Sequence, residues 1–391
     1  MDQYKYLIIG GGMTADAAVG GIREVDKEGS IALLGAEDVP PYNRPPLSKG
    51  LWKGKPLEKI WRKAAASSAE LFLGHKVVTL DPGRKTVIDD GGKEFTYDRL
   101  LIATGGTPRR LAFGGDQIIY FRTLKDYELL HQLAGQVDHF GVIGGGFIGS
   151  EIAAALAMNG KKVTMFMPEE GIGAKVYPKE IVLHLNEYYR SKGVEVLAGV
   201  NVKDIHQESG KYSIITDAGA AVSVDRVVAG IGIQPNTTLA AAAGIAVKNG
   251  IMVDGTLQTN LPGIYAAGDV AELQLPGEEK SIRVEHEDNA NAMGKQAGRN
   301  MAGAQEQYQH QSFFYSDLFD LGYEAVGVLD PHMETFIDWQ DPFKKGVIYY
   351  LADSRVQGVL LWNVWDSVDT ARALLKEPGP FTPATLKKRI I

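Results

Sequence analysis

Short apolar runs, each broken by glycine, set the frame of this chain. Residues 4–9 form an apolar strand that ends in Gly10-Gly11-Gly12-Met13-Thr14-Ala15. An Ala-rich helix is predicted from Ala15 to about Val25, then a second apolar strand over Ser30 to Leu34. The same pattern returns further on. A strand ends at Ile143, Gly144-Gly145-Gly146-Phe147-Ile148-Gly149 follows, a helix runs from Gly149 to about Asn159, and Val163 to Met167 is the next strand. Strand, glycine turn, helix and strand in this order predict a parallel, doubly wound α/β layer. Three more apolar segments fit such sheets: Tyr97 to Gly105, Val224 to Gly232, and Gly263 to Asp269. Glu285 and His286 open another predicted helix. From about Gln311 the pattern changes. Phe313, Phe314, Tyr315, Tyr349, Tyr350, Trp362 and Trp365 fall in short alternating segments, which predicts an antiparallel sheet.

The repeated turn has specific chemistry. Its first glycine allows the tight strand-to-helix turn, its second lets the backbone approach a pyrophosphate, and a small third residue allows close helix–strand packing. Gly10, Gly12 and Ala15 fill these places in one copy, and Gly144, Gly146 and Gly149 in the other. A pyrophosphate then meets free N–H groups at a helix N-terminus. Glu37 and Glu169 lie just past the second strand of each copy, somewhat more than roughly 20 residues after the first glycine, where an acidic side chain accepts from ribose hydroxyls. A lone turn of this kind can serve packing only. Two in one chain point to two dinucleotides, and so to hydride transfer between a nicotinamide and a flavin. Glu169 would repel a 2′-phosphate, which favours NADH over NADPH, although Lys175 nearby works against that preference.

Composition narrows the chemistry. The chain has 391 residues, 45% hydrophobic and 23% charged, enough for two or three domains. Its net charge of −7 argues against nucleic acid. No apolar run is long enough to span a bilayer, and the immediate start of the first strand leaves no room for a signal peptide, so a cytoplasmic protein is expected. Cysteine is absent. No redox-active disulfide or sulfenic acid can form, so electrons must leave a flavin directly. No metal site is expected, because the 8 histidines show no ligand spacing.

Several segments together resemble the FAD-dependent pyridine nucleotide-disulfide oxidoreductases, in the branch of apoptosis-inducing factor and the oxygenase-coupled ferredoxin reductases. They are Arg44-Pro45-Pro46-Leu47-Ser48-Lys49, Ala103 to Arg109, Gly144 to Glu151, Arg283-Val284-Glu285-His286, Ser316-Asp317-Leu318 with Gly322-Tyr323-Glu324-Ala325, and Leu361-Trp362-Asn363. The resemblance implies two nested Rossmann-like domains of glutathione-reductase type and a C-terminal α+β domain. Residues 1–112 with 241–308 would bind FAD tightly, residues 113–240 would bind an exchanging NADH, and residues 309–391 would form the last domain. It further implies that Gly10, Gly12, Ala15, Glu37, Arg44, Val78, Thr104, Arg109, Gly268, Asp269, Glu285 and His286 contact FAD. Gly145, Gly146, Phe147, Ile148, Glu169, Lys175 and Gly232 would serve NADH. Tyr315, Glu324 and Asn363 would lie near the nicotinamide, and Trp362 would either screen the flavin or fill core. Lys49 and Glu151 would form the catalytic ion pair beside flavin N5. Apoptosis-inducing factor has Trp at the place of Tyr315, and residues 326–346 leave little room for its C-terminal insertion, so its apoptotic role is not implied.

The expected activity is that of an NADH:acceptor oxidoreductase, with a ferredoxin, a rubredoxin or a small quinone as acceptor. Lys53, Lys55, Lys59, Arg62 and Lys63 form a basic stretch that could dock an acidic carrier or simply be solvated. The rival expectation is a redox-sensing interaction protein with a long-lived reduced complex and slow turnover. Either a monomer or a homodimer fits the sequence.

Overall fold

The computed structural model describes residues 2–274 and 281–391. Its contacts divide the chain into two compact units: Met1–Arg44, Pro56–Thr107 and Gln234–Ser312 form the first, and Pro45–Lys55, Pro108–Ile233 and Phe313–Ile391 the second.

The first unit is built on a seven-stranded sheet. Strands Glu70–Leu73, Ile31–Gly35, Asp2–Ile9, Glu94–Ile102 and Ile264–Ala266 run parallel, in that order. Thr86–Asp89 and Val77–Asp81 extend the sheet antiparallel from Glu94–Ile102. The strands facing both layers are almost wholly apolar: Leu7, Ile8, Leu33, Leu100, Leu101 and Ile102 are buried at or near 0% exposure. Register decides what this sheet presents. Ile9 pairs with Ile102, and Ile102 with Ala266. The turns after these strands, at Gly10, Ala103 and Ala267, therefore share the carboxyl edge, where open α/β sheets bind ligands.

Two helices of this unit cross at unusually close range. A Cβ on Gly294 would meet the Thr14 carbonyl oxygen at 2.3 Å, and one on Gly298 would meet that of Ala18 at 2.1 Å. The glycines in the second helix (Glu287–Met301) are thus fixed by its crossing of the first (Met13–Val25), which the sequence pattern did not reveal.

The second unit contains a five-stranded parallel sheet in the order Val194–Ala198, Lys162–Met167, His139–Ile143, Arg226–Ala229, Ile118–Tyr120. Ile143 pairs with Phe166 and with Ala229, so the second glycine turn and Gly230 share an edge. The aromatic C-terminal region forms the antiparallel sheet that its alternation predicted, ordered Phe313–Leu318, Leu321–Gly327, Arg355–Trp362, Lys345–Ala352, Glu334–Asp341.

Sequence order alone attaches Lys49 to the first dinucleotide domain, whereas residues 45–55 make their contacts in the second unit. The reason is apolar burial. Leu47 and Trp52 are almost completely buried. The Trp52 ring packs edge-on against Tyr127, its Nε1 donates to the Leu47 carbonyl at 2.8 Å, and its own carbonyl accepts from Asn159 at 3.2 Å.

Candidate functional site

The first glycine turn leaves a helix end open. Gly10 has φ +133°, and a Cβ there would meet the Ala103 carbonyl oxygen at 2.2 Å, so only glycine fits. Gly12 is the opposite case: a Cβ would meet nothing within 4 Å. Gly12 is also the N-cap of the helix Met13–Val25, and no side chain caps that end. Free N–H groups facing open space are the geometry a pyrophosphate needs. Ala15 is fully buried and packs the turn onto the sheet. Gly268, at φ +77°, lies so close to Thr14 that a Cβ would be 2.3 Å from its Oγ1, which brings the Gly-Asp segment to the same edge.

Polar groups gather there. Glu37 accepts from the Tyr42 hydroxyl at 2.6 Å and pairs with the Arg44 guanidinium at 2.5 Å, and its side chain keeps 28% exposure. Thr104 donates from Oγ1 to the Asn236 carbonyl at 3.0 Å. Arg283 donates to the Asp269 carbonyl at 2.9 Å and pairs with Glu285 at 2.6 Å. Val78 is exposed and falls where the register shifts between Val77 and Thr79, so it has no partner in the ladder. The open turn and the polar groups beside it fit an FAD, and among the described residues no contact ties Val78 to them.

His286 is the N-cap of the helix Glu287–Met301. Burial pushes its imidazole down to about 4, against opposing pulls from Asp269 and Asp288. It is therefore neutral near pH 7, and any positive potential at this helix end comes from the backbone dipole. An unfolded histidine protonates near 6.5. Between these values the unfolded chain binds the extra proton, so this contribution to stability is complete above about pH 6.5 and is lost as pH falls toward about 4, by up to about 3 kcal/mol. Urea unfolding across that window should show the slope, and His286→Gln should flatten it. Equal slopes in the two proteins would remove His286 as the cause.

The second turn repeats the first. Gly144 has φ +110°, and its Cβ would meet the Gly230 carbonyl oxygen at 2.4 Å. Gly146 has nothing within 4 Å and caps the helix Phe147–Met158 without a side-chain bond. Phe147 and Ile148 are exposed at 37% and 38%. Gly145 lies against Met167, with its would-be Cβ 2.5 Å from the sulfur. Glu169 is paired with Lys175 at 2.7 Å, and Lys175 is 81% exposed. The Gly232 carbonyl accepts from the Arg109 backbone N–H at 2.9 Å, and the Arg109 side chain is exposed. The turn fits a second dinucleotide.

Within the second unit, Lys49 Nζ lies 2.8 Å from Glu151 Oε2. Glu151 is 3% exposed. Two hydroxyls complete its shell: Ser48 donates to Oε2 at 2.6 Å and Ser316 to Oε1 at 2.6 Å. Both serines lie in segments that carry the family resemblance, but sequence reasoning assigned neither a role. The available signal was their adjacency to Lys49 and Tyr315, since Ser48-Lys49 and Tyr315-Ser316 are each consecutive. The Tyr315 ring lies 5.2 Å from Lys49 Nζ. Glu324 is the cross-strand partner of Tyr315. Burial raises its carboxyl above the ordinary glutamate range, and Asp366 adds to the rise.

Full burial decides between the two roles expected of Trp362. Trp362 has 0% exposure, its Nε1 donates to the Phe343 carbonyl at 2.9 Å, and its ring stacks parallel to Tyr323. It offers no face to a flavin and fills core instead. Asn363 accepts from the Gly322 N–H at 2.8 Å and donates to the Lys344 carbonyl at 2.9 Å. Its amide locks two turns of the C-terminal sheet. The basic stretch is also partly committed: Arg62 binds Asp16 and Asn43, and Lys53 faces Asp317. No group of side chains that could hold a metal occurs among the described residues, and none of their helices is long and apolar enough to cross a membrane.

Residues 4–296 match the family described as pyridine nucleotide-disulphide oxidoreductase. The chain belongs to this family. Residues 297–340 and 337–377 match the C-terminal domain described for mitochondrion-associated apoptosis-inducing factor. The chain is 34% identical to apoptosis-inducing factor 1, mitochondrial, of Dictyostelium discoideum, over 96% of this chain and 79% of that protein. It is 31% identical to the 5,5'-dehydrodivanillate O-demethylase ferredoxin reductase subunit of a Sphingobium species, over 96% and 94%. Putidaredoxin reductase, in the crystal structure of its covalent complex with putidaredoxin, superposes with a TM-score of 0.91 at 28% identity, covering 98% of this chain and 95% of that one. The oxidoreductase is thus an FAD-dependent enzyme of the apoptosis-inducing factor and ferredoxin reductase branch, and its family uses NAD(H).

Proposed function

We propose that this oxidoreductase takes reducing equivalents from NADH and delivers them one at a time to a ferredoxin-type iron–sulfur protein. The observation that carries the reading is the pairing of two open glycine turns with a chain that has no cysteine. FAD, when bound, accepts a hydride at N5 and can release electrons singly. The Gly10 turn holds the resident dinucleotide, and the Gly144 turn the exchanging one. The buried Lys49–Glu151 pair fixes a positive charge with its counter-charge where the family resemblance puts flavin N5. Such a pair contributes little net stability, and its value lies in preorganised electrostatics. The acceptor class is supported by the relatives named as ferredoxin reductases. Anaerobic reduction by NADH followed by mixing with oxidised carriers tests it. Reoxidation by a [2Fe–2S] ferredoxin far faster than by oxygen is expected, and equal rates across all carriers would overturn the reading.

Glu169 supports NADH over NADPH, and its pairing with Lys175 at 2.7 Å fits that preference. The carboxylate draws the exposed lysine toward itself and lowers the positive charge that a 2′-phosphate would meet. Glu169→Ser should release the lysine and raise kcat/KM for NADPH by about tenfold, with the smaller change on NADH.

A second reading is favoured by the match of residues 297–340 and 337–377 to the apoptosis-inducing factor C-terminal domain. On it, the reduced complex persists and changes the oligomeric state. Anaerobic sedimentation with and without NADH separates the two, since a carrier reductase keeps one mass.

A further inference from the structure

We propose that Ser316 is a positioning residue for the Lys49–Glu151 pair: its hydroxyl holds one oxygen of Glu151 so that the other stays on Lys49. The Glu151 carboxylate is buried, and each of its oxygens has its own donor set. Oε2 receives Lys49 at 2.8 Å and Ser48 at 2.6 Å, and Oε1 receives Ser316 at 2.6 Å. Removing this donor takes away the hydrogen bond that the buried Oε1 has in the structure. The carboxylate then offsets that loss by turning toward Lys49 with both oxygens, which moves Nζ and spends more of its charge on Glu151.

Ser316 is well placed for this duty because its own position is fixed. It is 1% exposed and pairs across the sheet with Tyr323, which pairs in turn with Trp362. Tyr323 and Trp362 are both fully buried, and their rings stack at an interplanar angle of 3°. The preceding residue of the same strand, Tyr315, lays its ring against Lys49 Nζ. Two consecutive residues of one strand therefore hold the two members of the pair. This gives the fully buried Trp362 a role the sequence did not suggest, as an anchor for the row that carries Ser316.

The inference rests on the proposed duty of the ion pair at the flavin, and its test uses a readout apart from turnover. Ser316→Ala and Ser316→Thr holoenzymes are compared with wild type for flavin midpoint potential, limiting rate of reduction by NADH, and NADH Kd. Ser316→Ala should lower the limiting rate by about tenfold and move the potential to more negative values, with Kd within about twofold. Ser316→Thr, which keeps the hydroxyl, should restore both. Unchanged rate and potential in Ser316→Ala, or a Thr variant as impaired as the Ala variant, would overturn the proposal. If Ser316→Ala does not retain flavin, Ser316→Cys, a weaker donor, should fall between wild type and the expected loss, and wild-type behaviour there counts against it. Should wild type itself resist reduction by NADH, the hydride reading fails, while the potential still reports on Ser316.

Discussion

Gly12→Ala is expected to leave the protein folded but short of flavin. A Cβ at Gly12 meets no protein atom within 4 Å, and its backbone, at φ −96° and ψ −169°, suits alanine. The cost to folding is that of an altered N-cap, under about 1 kcal/mol. The new methyl instead enters the space in front of the uncapped helix end. If a pyrophosphate lies there, the methyl costs roughly 1–3 kcal/mol and blocks N–H contacts, for a loss of up to about one hundredfold in affinity. Flavin absorbance per polypeptide after purification and the thermal midpoint of the apoprotein measure the two effects separately. Gly146→Ala is the matched experiment, because its Cβ also meets nothing. It should keep flavin content normal and raise the Kd for NADH. Gly10→Ala makes the contrasting control: with its Cβ 2.2 Å from a backbone oxygen and φ +133°, it should damage folding itself. Full flavin in Gly12→Ala together with flavin loss in Gly146→Ala would mean that the roles of the two turns are reversed.

Glu151→Ala should have the largest effect on stability, a loss of about 3–5 kcal/mol. It leaves the Lys49 ammonium, 11% exposed, without its carboxylate, and strips the acceptor from Ser48 and Ser316. The double variant Lys49→Met/Glu151→Leu removes both charges and should recover most of that loss, since apolar replacement of a buried pair is often near neutral. Recovery stays incomplete because the two serine hydroxyls remain without their acceptor. Reduction by NADH should not recover with stability. Urea midpoints and stopped-flow reduction, measured on the three proteins, distinguish a pair kept for chemistry from one kept for folding. A double variant that is reduced as fast as wild type would show that the pair has no part in the reaction.

Much of this could be read from the chain because it depends on short stretches. The glycine turns at Gly10 and Gly144 are legible since a positive φ and a close backbone approach leave glycine as the residue that fits. The parallel strands are legible because residues buried on both faces are continuously apolar, and the C-terminal sheet because its alternation has period 2. The pairing of Lys49 with Glu151, 102 positions apart, was carried by resemblance, and the structure gives it a distance of 2.8 Å.

What the sequence determined by itself was local: two places where a helix end is left bare, and a chain without thiols. The tertiary structure decided what depends on register and on contacts between distant segments. It put residues 45–55 with the second turn through Leu47 and Trp52, turned Trp362 and Asn363 into supports of their own sheet, and brought Ser48 and Ser316 onto Glu151 from 103 and 165 residues away. A serine carries no hydrophobic signal and fits a strand or a turn equally well. Its meaning arises only when long-range packing sets a buried carboxylate within 2.6 Å of it, where an unmet lone pair would be costly.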